Sequence, residues 1–545
     1  MPRLARPLEE LGSDYDAVVI GSGYGGGVAA SRLARAGKRV CVLERGREVQ
    51  TGEFPTRLPD IRREMQVTSR RIRTGSETGL YDIRLGSDMH VLVGCGLGGG
   101  SLINAGVALR PDPRVFADAA WPDDMRSDDA LDEGYRRAQD WLRPARAPAA
   151  SATTKFQAFA KAGAAVGKEP VVPPLNVAFE DTVSSAGIAQ PACTGCGDCC
   201  GGCNVGAKTT VALTYLPDAA HHGAHLFTHA RVSSLTRARD GRWQVHIAGR
   251  TAPLTASLVI LAAGTLGSTE ILLRSGERGL ALSDKLGSRF SANGDIIAFG
   301  YGAKIPVNAI GVGNPSKVAG LTVGAVVSGQ LDFPDAGCLD NEMHVQEGVL
   351  PSALAPILPV LFIPNGRLLG ALQSLVTGVY KGPFAGLQTF FAVSHDNSGG
   401  TFRLEDDHLQ LAWPNAGQHP VYKRLDDTLS ELVSAVGGRY VKNPLAGTVM
   451  GHTPATAHPL GGTPMGRTRS DGVVDHKCRV FDAAATGDAT AVHDGLYVTD
   501  GAVIPRSLGV NPLLTITALA ERALIHMARD HNFSFSAEPY PRAAA

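Results

Sequence analysis

The 545-residue chain has no excess of either charge: 52 lysines and arginines balance 52 aspartates and glutamates. Without a net positive field, nucleic acid and anionic lipid are excluded as main partners, and a small or uncharged substrate is favoured. Long hydrophobic runs are missing too. The most apolar stretch, Ala353–Pro364, is broken by Pro356 and Pro359 and falls short of the roughly 18 apolar residues of a transmembrane span. Residues 1–16 hold no apolar signal core and lead directly into a strand pattern, so the sequence predicts a cytoplasmic protein. No serine has glycine both two residues before and two after it, which removes the nucleophile-elbow hydrolases. Internal repeats and long low-complexity tracts are absent. With 44% hydrophobic and 19% charged residues, disorder is excluded and a large core divided between two closely packed domains is predicted.

Glycine is abundant, at 65 residues, about 12% of the chain against the ~7% of ordinary proteins. Many backbone turns are therefore needed. Five of the nine cysteines (Cys193, Cys196, Cys199, Cys200 and Cys203) fall within eleven residues, while Cys41, Cys95, Cys338 and Cys478 are scattered. In a chain without a signal peptide, such a cluster points to metal or redox chemistry before a disulfide framework.

From Asp16 the sequence reads as a strand, a glycine turn, an alanine-rich helix to Ala36, a stop at Gly37 and a second strand, Arg39–Glu44: a βαβ unit. Ser127–Leu142 has helical period. His225–Ile247 alternates around an Asp240-Gly241 hairpin turn, and Leu258–Ala263 is continuously apolar, as in a parallel strand buried on both faces. Between about Gly300 and Trp413 the pattern changes to strands and proline-broken apolar helices (Leu350–Val379), with a hairpin at Thr401–Trp413. After residue 452 glycine-rich turns return, followed by a strand, Gly495–Thr499, and a helix, Asn511–Arg529. Interleaved domains are predicted.

Gly21, Gly23 and Gly26 form G-x-G-x-x-G between a strand and a helix, and Glu44 ends the next strand. The first glycine permits the tight turn, the second lets backbone approach a pyrophosphate, the third packs helix on sheet, and Glu44 accepts ribose hydroxyls. A second backbone-rich cradle, Val93 to Asn104, contains Gly94, Gly99, Gly100 and Ser101. An ordinary nicotinamide enzyme does not need it; a buried flavin does.

Together with His458-Pro459-Leu460-Gly461-Gly462, Tyr497-Val498-Thr499-Asp500-Gly501 and Gly509-Val510-Asn511-Pro512, these motifs resemble the GMC (glucose-methanol-choline) flavin oxidoreductases, within them the cholesterol oxidases. The resemblance runs in collinear patches from Asp16 to about Arg529 and is weak between about Gly300 and Tyr380. It implies an α/β plus α+β fold, in which a Rossmann-type FAD-binding domain interleaves with a substrate-binding domain built on an antiparallel sheet. Residues 14–300 would be mainly FAD-binding, including the cysteine loop 190–208. Residues 301–450 would be mainly substrate-binding, and 451–535 would return to the FAD domain and active site. The resemblance also implies non-covalent FAD, with Val232 on the adenine side and Ala263 with Gly264 along the dinucleotide. Asp500 and Gly501 would hold the ribityl chain and pyrophosphate, and Asn104, Asn511 and Pro512 would flank the isoalloxazine.

Alcohol oxidation needs a base for the hydroxyl proton while a hydride leaves the same carbon for flavin N5. His458, in its glycine-bounded loop, is the candidate base and Asn511 the orienting group; His452 is a nearby competitor of structural character. Cholesterol oxidases also shift a double bond with a carboxylate, and the best matching stretch, Ala385 to Thr389, carries the amide Gln388 instead, which cannot relay that proton.

The spacing Cys193-x2-Cys196-x2-Cys199-x3-Cys203 is that of a ferredoxin run. It predicts an iron-sulfur cluster, with zinc or metal-free thiols as alternatives. The leading reading is thus an FAD enzyme for an apolar, steroid- or terpenoid-like alcohol, using oxygen or an electron-acceptor protein. A dehydrogenase for another secondary or aromatic alcohol, passing electrons through the cysteine site, and a non-enzymatic flavin and cluster electron carrier or redox sensor are the rivals. The His458 and Asn511 pair weighs against the carrier.

Overall fold

The computed structural model describes residues 2–70, 72–126, 128–361, 378–442 and 453–541. His452 and the middle of the apolar stretch Leu350–Val379 lie outside the described residues. The strand Asp14–Ile20 buries Ala17, Val18, Val19 and Ile20 in succession, as a strand covered on both faces must. It turns at Gly21, whose φ of 93° suits glycine, into the helix Tyr24–Arg35. Val40–Leu43 returns in parallel, with Ala17 opposite Val40 and Ile20 opposite Leu43. The βαβ unit read from the sequence is therefore present.

His225–Phe227 and Ala5–Arg6 extend this sheet on one side, and Leu254–Leu261 on the other. The sheet forks on that last strand. Its first half pairs antiparallel with Trp243–Ile247 of the predicted hairpin, and its second half pairs in parallel with Val492–Val498, placing Val259 opposite Leu496. Through this fork the end of the chain rejoins its beginning. Contact is so close that a Cβ on Gly25 would stand 1.9 Å from the Thr499 carbonyl oxygen. The closing helix, Leu513–Asp530, packs on the first one through a buried ion pair: Arg32 Nη2 lies 2.5 Å from Glu521 Oε1 and Nε lies 3.0 Å from Oε2.

A second, wholly antiparallel sheet runs in the order Gln330–Phe333, Met343–Gly348, Gln388–Ser394, Ile296–Tyr301, Arg439–Val441. One face carries Leu331, Val345, Phe390 and Ala298, which pack on the helices Thr154–Ala165 and Pro420–Ala435 through Phe159, Leu425 and Leu429. The other face turns toward the cavity described below. A third sheet, formed by four strands between Met65 and Gly94 together with Ala455–Thr456, has no counterpart in the sequence expectations. Among the described residues no helix is long and apolar enough to cross a membrane.

Candidate active site

Three helices begin on the wall of one cavity of about 630 Å³. They are Tyr24–Arg35 after Gly23, Gly264–Glu277 after Ala263, and Leu513–Asp530 after Pro512, and none has a side-chain N-cap. Their positive dipole ends face the same space, an arrangement that attracts anionic groups, with the Gly264 N–H already donated to the Asp500 carboxylate. Gly23, Gly100 and Gly264 all line it, and a Cβ on any of them would meet nothing within 4 Å. Here the glycines leave room for a ligand, whereas Gly21 and Gly26 leave room for the protein. A Cβ on Gly21 would stand 2.3 Å from the Ala262 oxygen, and one on Gly26 2.1 Å from the Gly21 oxygen.

Most residues singled out from the sequence meet here. Gly94, Gly99 and Asn104 come from the second glycine turn, and Glu44, Val232, Asp500 and Gly501 from strand ends of the first sheet. Two do not. Gly26 packs helix on turn, and the Ser101 hydroxyl is spent inside its own turn, donating to the Gly98 carbonyl (2.6 Å) and accepting from Val211 N (3.1 Å). Glu44 is buried and accepts from Ser22 Oγ (2.6 Å), Ser22 N (3.2 Å) and Gly46 N (2.8 Å), so it braces the fingerprint turn as well as facing the cavity. Asn104 Nδ2 donates to the Tyr24 hydroxyl at 2.8 Å. Asp500 accepts from Ser268 Oγ (2.5 Å), Gly264 N (2.8 Å) and Ala502 N (2.9 Å). Burial pushes its carboxyl up to about 6 in spite of these three donors.

His458 and Asn511 come together with Nε2 and Nδ2 3.5 Å apart, both in the cavity wall. Sequence reasoning missed their supports. Nδ1 of His458 stands 3.2 Å from Oδ2 of Asp295, whose carboxylate also accepts from Ala457 N at 2.8 Å and Thr456 Oγ1 at 3.1 Å. Asn511 Oδ1 accepts from Gln346 Nε2 at 2.7 Å. Nothing in local spacing marks Asp295 or Gln346; only pairing between remote strands does. Gln388 is corrected as the residue standing over the reaction. Phe391 faces the cavity, so Gln388, three positions earlier on the same strand, faces the opposite way, its Oε1 buried near Gly300. The glutamine in the cavity wall is Gln346.

The cysteine loop also departs from expectation. Among the described residues no group of three or more His, Cys, Asp and Glu side chains is arranged to hold a metal ion, so the site expected from Cys193, Cys196, Cys199 and Cys203, iron-sulfur or zinc, is not formed. All nine cysteines are free. The physical reason lies in how the loop is pinned. Cys193, Cys196, Cys199 and Cys203 pack in an apolar cluster with Val312, Val323 and Val349, and burial pushes the Cys196 and Cys200 thiols up to about 11. A fully buried Lys208 ties the loop to the second glycine turn, donating to the carbonyls of Cys199 (2.8 Å), Leu102 (2.8 Å) and Asn104 (3.0 Å).

A Rossmann-type sheet, two glycine turns and a His/Asn pair on one cavity define a flavin-dependent oxidoreductase. The chain belongs to the GMC oxidoreductase family: the N-terminal family model matches residues 15–290 and the C-terminal one residues 435–520. It is 29% identical to a cholesterol oxidase of Mycobacterium tuberculosis over 94% of this chain and 90% of that protein. It is 26% identical to a cholesterol oxidase of Acinetobacter baumannii over 95% of each, and 24% identical to a long-chain-alcohol oxidase of Arabidopsis thaliana over 93% of this chain and 66% of that protein. Among solved structures, pyridoxine 4-oxidase from Mesorbium loti superposes with a TM-score of 0.61 at 19% identity, over 94% of this chain and 99% of that one. A fungal aryl-alcohol oxidase superposes with a TM-score of 0.60 at 15% identity, over 96% of this chain and 100% of that one. The protein is an oxidoreductase acting on CH–OH donors, with FAD as cofactor. The cavity fits that group: the uncapped N-terminus of Tyr24–Arg35 suits a pyrophosphate, and the open faces of Gly23, Gly100 and Gly264 leave space for an extended dinucleotide.

Proposed function

We propose that the protein is an FAD-dependent oxidase of large apolar alcohols, steroid-like or long-chain, giving the ketone or aldehyde, with His458 as proton acceptor and Asn511 holding the substrate oxygen. The observation that carries this reading is the meeting of His458 Nε2 and Asn511 Nδ2 beside an apolar wall made by Ile297, Val349, Leu350, Leu354 and Phe391. A hydroxyl oxygen set between the two nitrogens gives its proton to Nε2 and accepts a hydrogen bond from Nδ2. Asp295, facing Nδ1, favours the tautomer that leaves the lone pair on Nε2. Bound FAD supplies the acceptor for the hydride leaving the same carbon, and oxygen is the final oxidant, as the names of the oxidase relatives suggest. The apolar wall binds the hydrocarbon body and keeps water from the reacting carbon. Gln346, an amide, stands beside Asn511 and cannot relay a proton, which supports oxidation without double-bond migration.

In this reading residues 14–300 and 451–535 mainly hold the cofactor and residues 301–450 mainly the substrate. Val232 meets the adenine, and Glu44 accepts from ribose hydroxyls with the lone pairs that Ser22 and Gly46 leave free. Asp500 acts through the turns it ties together.

The test is an anaerobic titration of the purified holoenzyme with cholesterol, a long-chain primary alcohol and a small aromatic alcohol. Bleaching of the flavin band by one of the first two, with colour and hydrogen peroxide appearing on admission of air, is expected. Bleaching by the aromatic alcohol alone, or by none, overturns the substrate class.

A further inference from the structure

On the cavity face of the antiparallel sheet, the register sets Ile297, Phe391, Gln346 and Gln330 in one row across four strands. Asp332 follows Gln330 by two residues, on the same face and opposite His344. A continuous series of hydrogen bonds runs along this row. Gln330 Nε2 donates to Asp332 Oδ1 at 2.6 Å, and Gln346 Nε2 donates to Gln330 Oε1 at 2.9 Å and to Asn511 Oδ1 at 2.7 Å. Asn511 Nδ2 then faces both Gln346 Oε1 and His458 Nε2 at 3.5 Å.

Each amide in such a series has a donor end and an acceptor end that a half-turn of the side chain exchanges. A carboxylate only accepts. We infer that Asp332 is a positioning residue, whose carboxylate orients the amides of Gln330, Gln346 and Asn511 so that an N–H, and not a carbonyl, faces Nε2 of His458. The inference rests on the reading of His458 as proton acceptor and extends it to a residue three side chains away.

Reversal is blocked along the whole row. Turning Asn511 alone would set its NH2 against the NH2 of Gln346 and oxygen against oxygen. Gln346 and Asn511 are 1% and 5% exposed, so water is not at hand to repair the mismatch. If all three amides reversed, Asn511 Oδ1 would face the ring and draw the imidazole proton onto Nε2, the position that must be free for the substrate proton. Asp332 lies on the edge strand of the sheet with its side chain 41% exposed, where a charge is tolerated. His344 Nδ1, 2.7 Å from Asp332 Oδ1, and the Lys168 ammonium face it, and Asp295 faces His458 at the other end. Desolvation raises the Asp332 carboxyl, but the bonds from His344 and Gln330 and the Lys168 charge outweigh it and hold the group below its ordinary range, so at neutral pH it is an acceptor only.

The test uses flavin-loaded enzyme and whichever alcohol bleaches it. Asp332→Asn is expected to lower kcat about 5–10-fold with KM within about twofold, and Asp332→Glu to recover most of the rate. Gln330→Met, which cuts the row while keeping Asp332, is expected to match Asp332→Asn and decides the matter if that variant does not fold. Isotope-labelled histidine NMR, with the His458 signal identified by its loss in His458→Gln, should show the ring proton moving toward Nε2 in both. Unchanged kcat and tautomer in both variants, or a loss that Asp332→Glu does not recover, overturns the inference. Turnover surviving in His458→Ala removes instead the reading on which it rests.

Discussion

Oδ2 of Asp295 lies 3.2 Å from Nδ1 of His458, and the same oxygen accepts from Ala457 N, one residue before that histidine. The carboxylate therefore holds the loop by hydrogen bonds and stands against its ring. Asp295 is 2% exposed, and its remaining bond goes to Thr456 Oγ1, which in turn accepts from His458 N at 2.9 Å. Histidine, loop and carboxylate form one unit that positions Nε2 at the cavity.

His458→Ala should keep its flavin and lose about 10²-fold or more in kcat. Asp295→Asn keeps the shape and removes the charge, and about a 10-fold loss in kcat with little change in KM is expected. Steady-state kinetics on protein of equal flavin content checks both. A fully active Asp295→Asn would mean that the carboxylate serves the loop alone.

Two glycines of one motif should fail in different ways. Gly23→Val has open space for its side chain, so the fold should persist, as judged by circular dichroism, while the protein is isolated colourless. Gly26→Ala collides with the Gly21 carbonyl and should cost about 1–3 kcal/mol of stability by denaturant unfolding. A yellow Gly23→Val would detach this turn from the cofactor.

Asp500 makes stability depend on pH in an unusual direction. Its folded-state value, about 6, lies above the ordinary 3.8, so the folded chain holds this proton more tightly than the unfolded one. Its contribution is fully present below about pH 4 and is lost as pH rises through about 6, amounting to about 3 kcal/mol. The difference in unfolding free energy between wild type and Asp500→Asn should therefore change across that window and level off above pH 7. A constant difference would assign Asp500 an ordinary carboxylate.

Lys208→Met leaves three buried carbonyls without their donor. A loss of about 2–4 kcal/mol and weaker flavin retention are expected, because the cysteine loop and the second glycine turn lose their shared anchor. Thermal melting with and without added FAD separates the two effects.

Anaerobically purified protein should contain neither iron nor zinc in stoichiometric amount, and native thiol titration should show one fast phase, from exposed Cys338, which Cys338→Ser removes. The loop thiols, buried or partly buried, should react much more slowly. Stoichiometric metal that holds the loop thiols back would mean that the loop rearranges around a ligand.

Local pattern was enough for much of the fold. The apolar run at Asp14–Ile20, the glycines after it and the alanine-rich helix specify a βαβ unit because period, turn chemistry and helix stop agree over about thirty residues. The predicted strand Leu258–Ala263 is the second half of Leu254–Leu261, and the predicted helix Asn511–Arg529 is Leu513–Asp530. The sheet between Met65 and Gly94 escaped notice because its strands are short and their burial does not alternate cleanly.

The sequence by itself determined the two glycine turns, since each depends on residues within a few positions of one another, and through its family resemblance it gave the cofactor class and the candidate pair His458 and Asn511. Tertiary structure decided the rest. Asp295 and Gln346 reach the cavity wall through strands far apart in the chain, and one step of register decides that Gln346, and not Gln388, faces the cavity. Spacing alone made the cysteines a candidate metal site; the packing of the loop against valines, with Lys208 buried beneath it, leaves no three of the described side chains arranged around a metal. Spacing along a chain limits which side chains can meet, but burial and pairing settle which of them do.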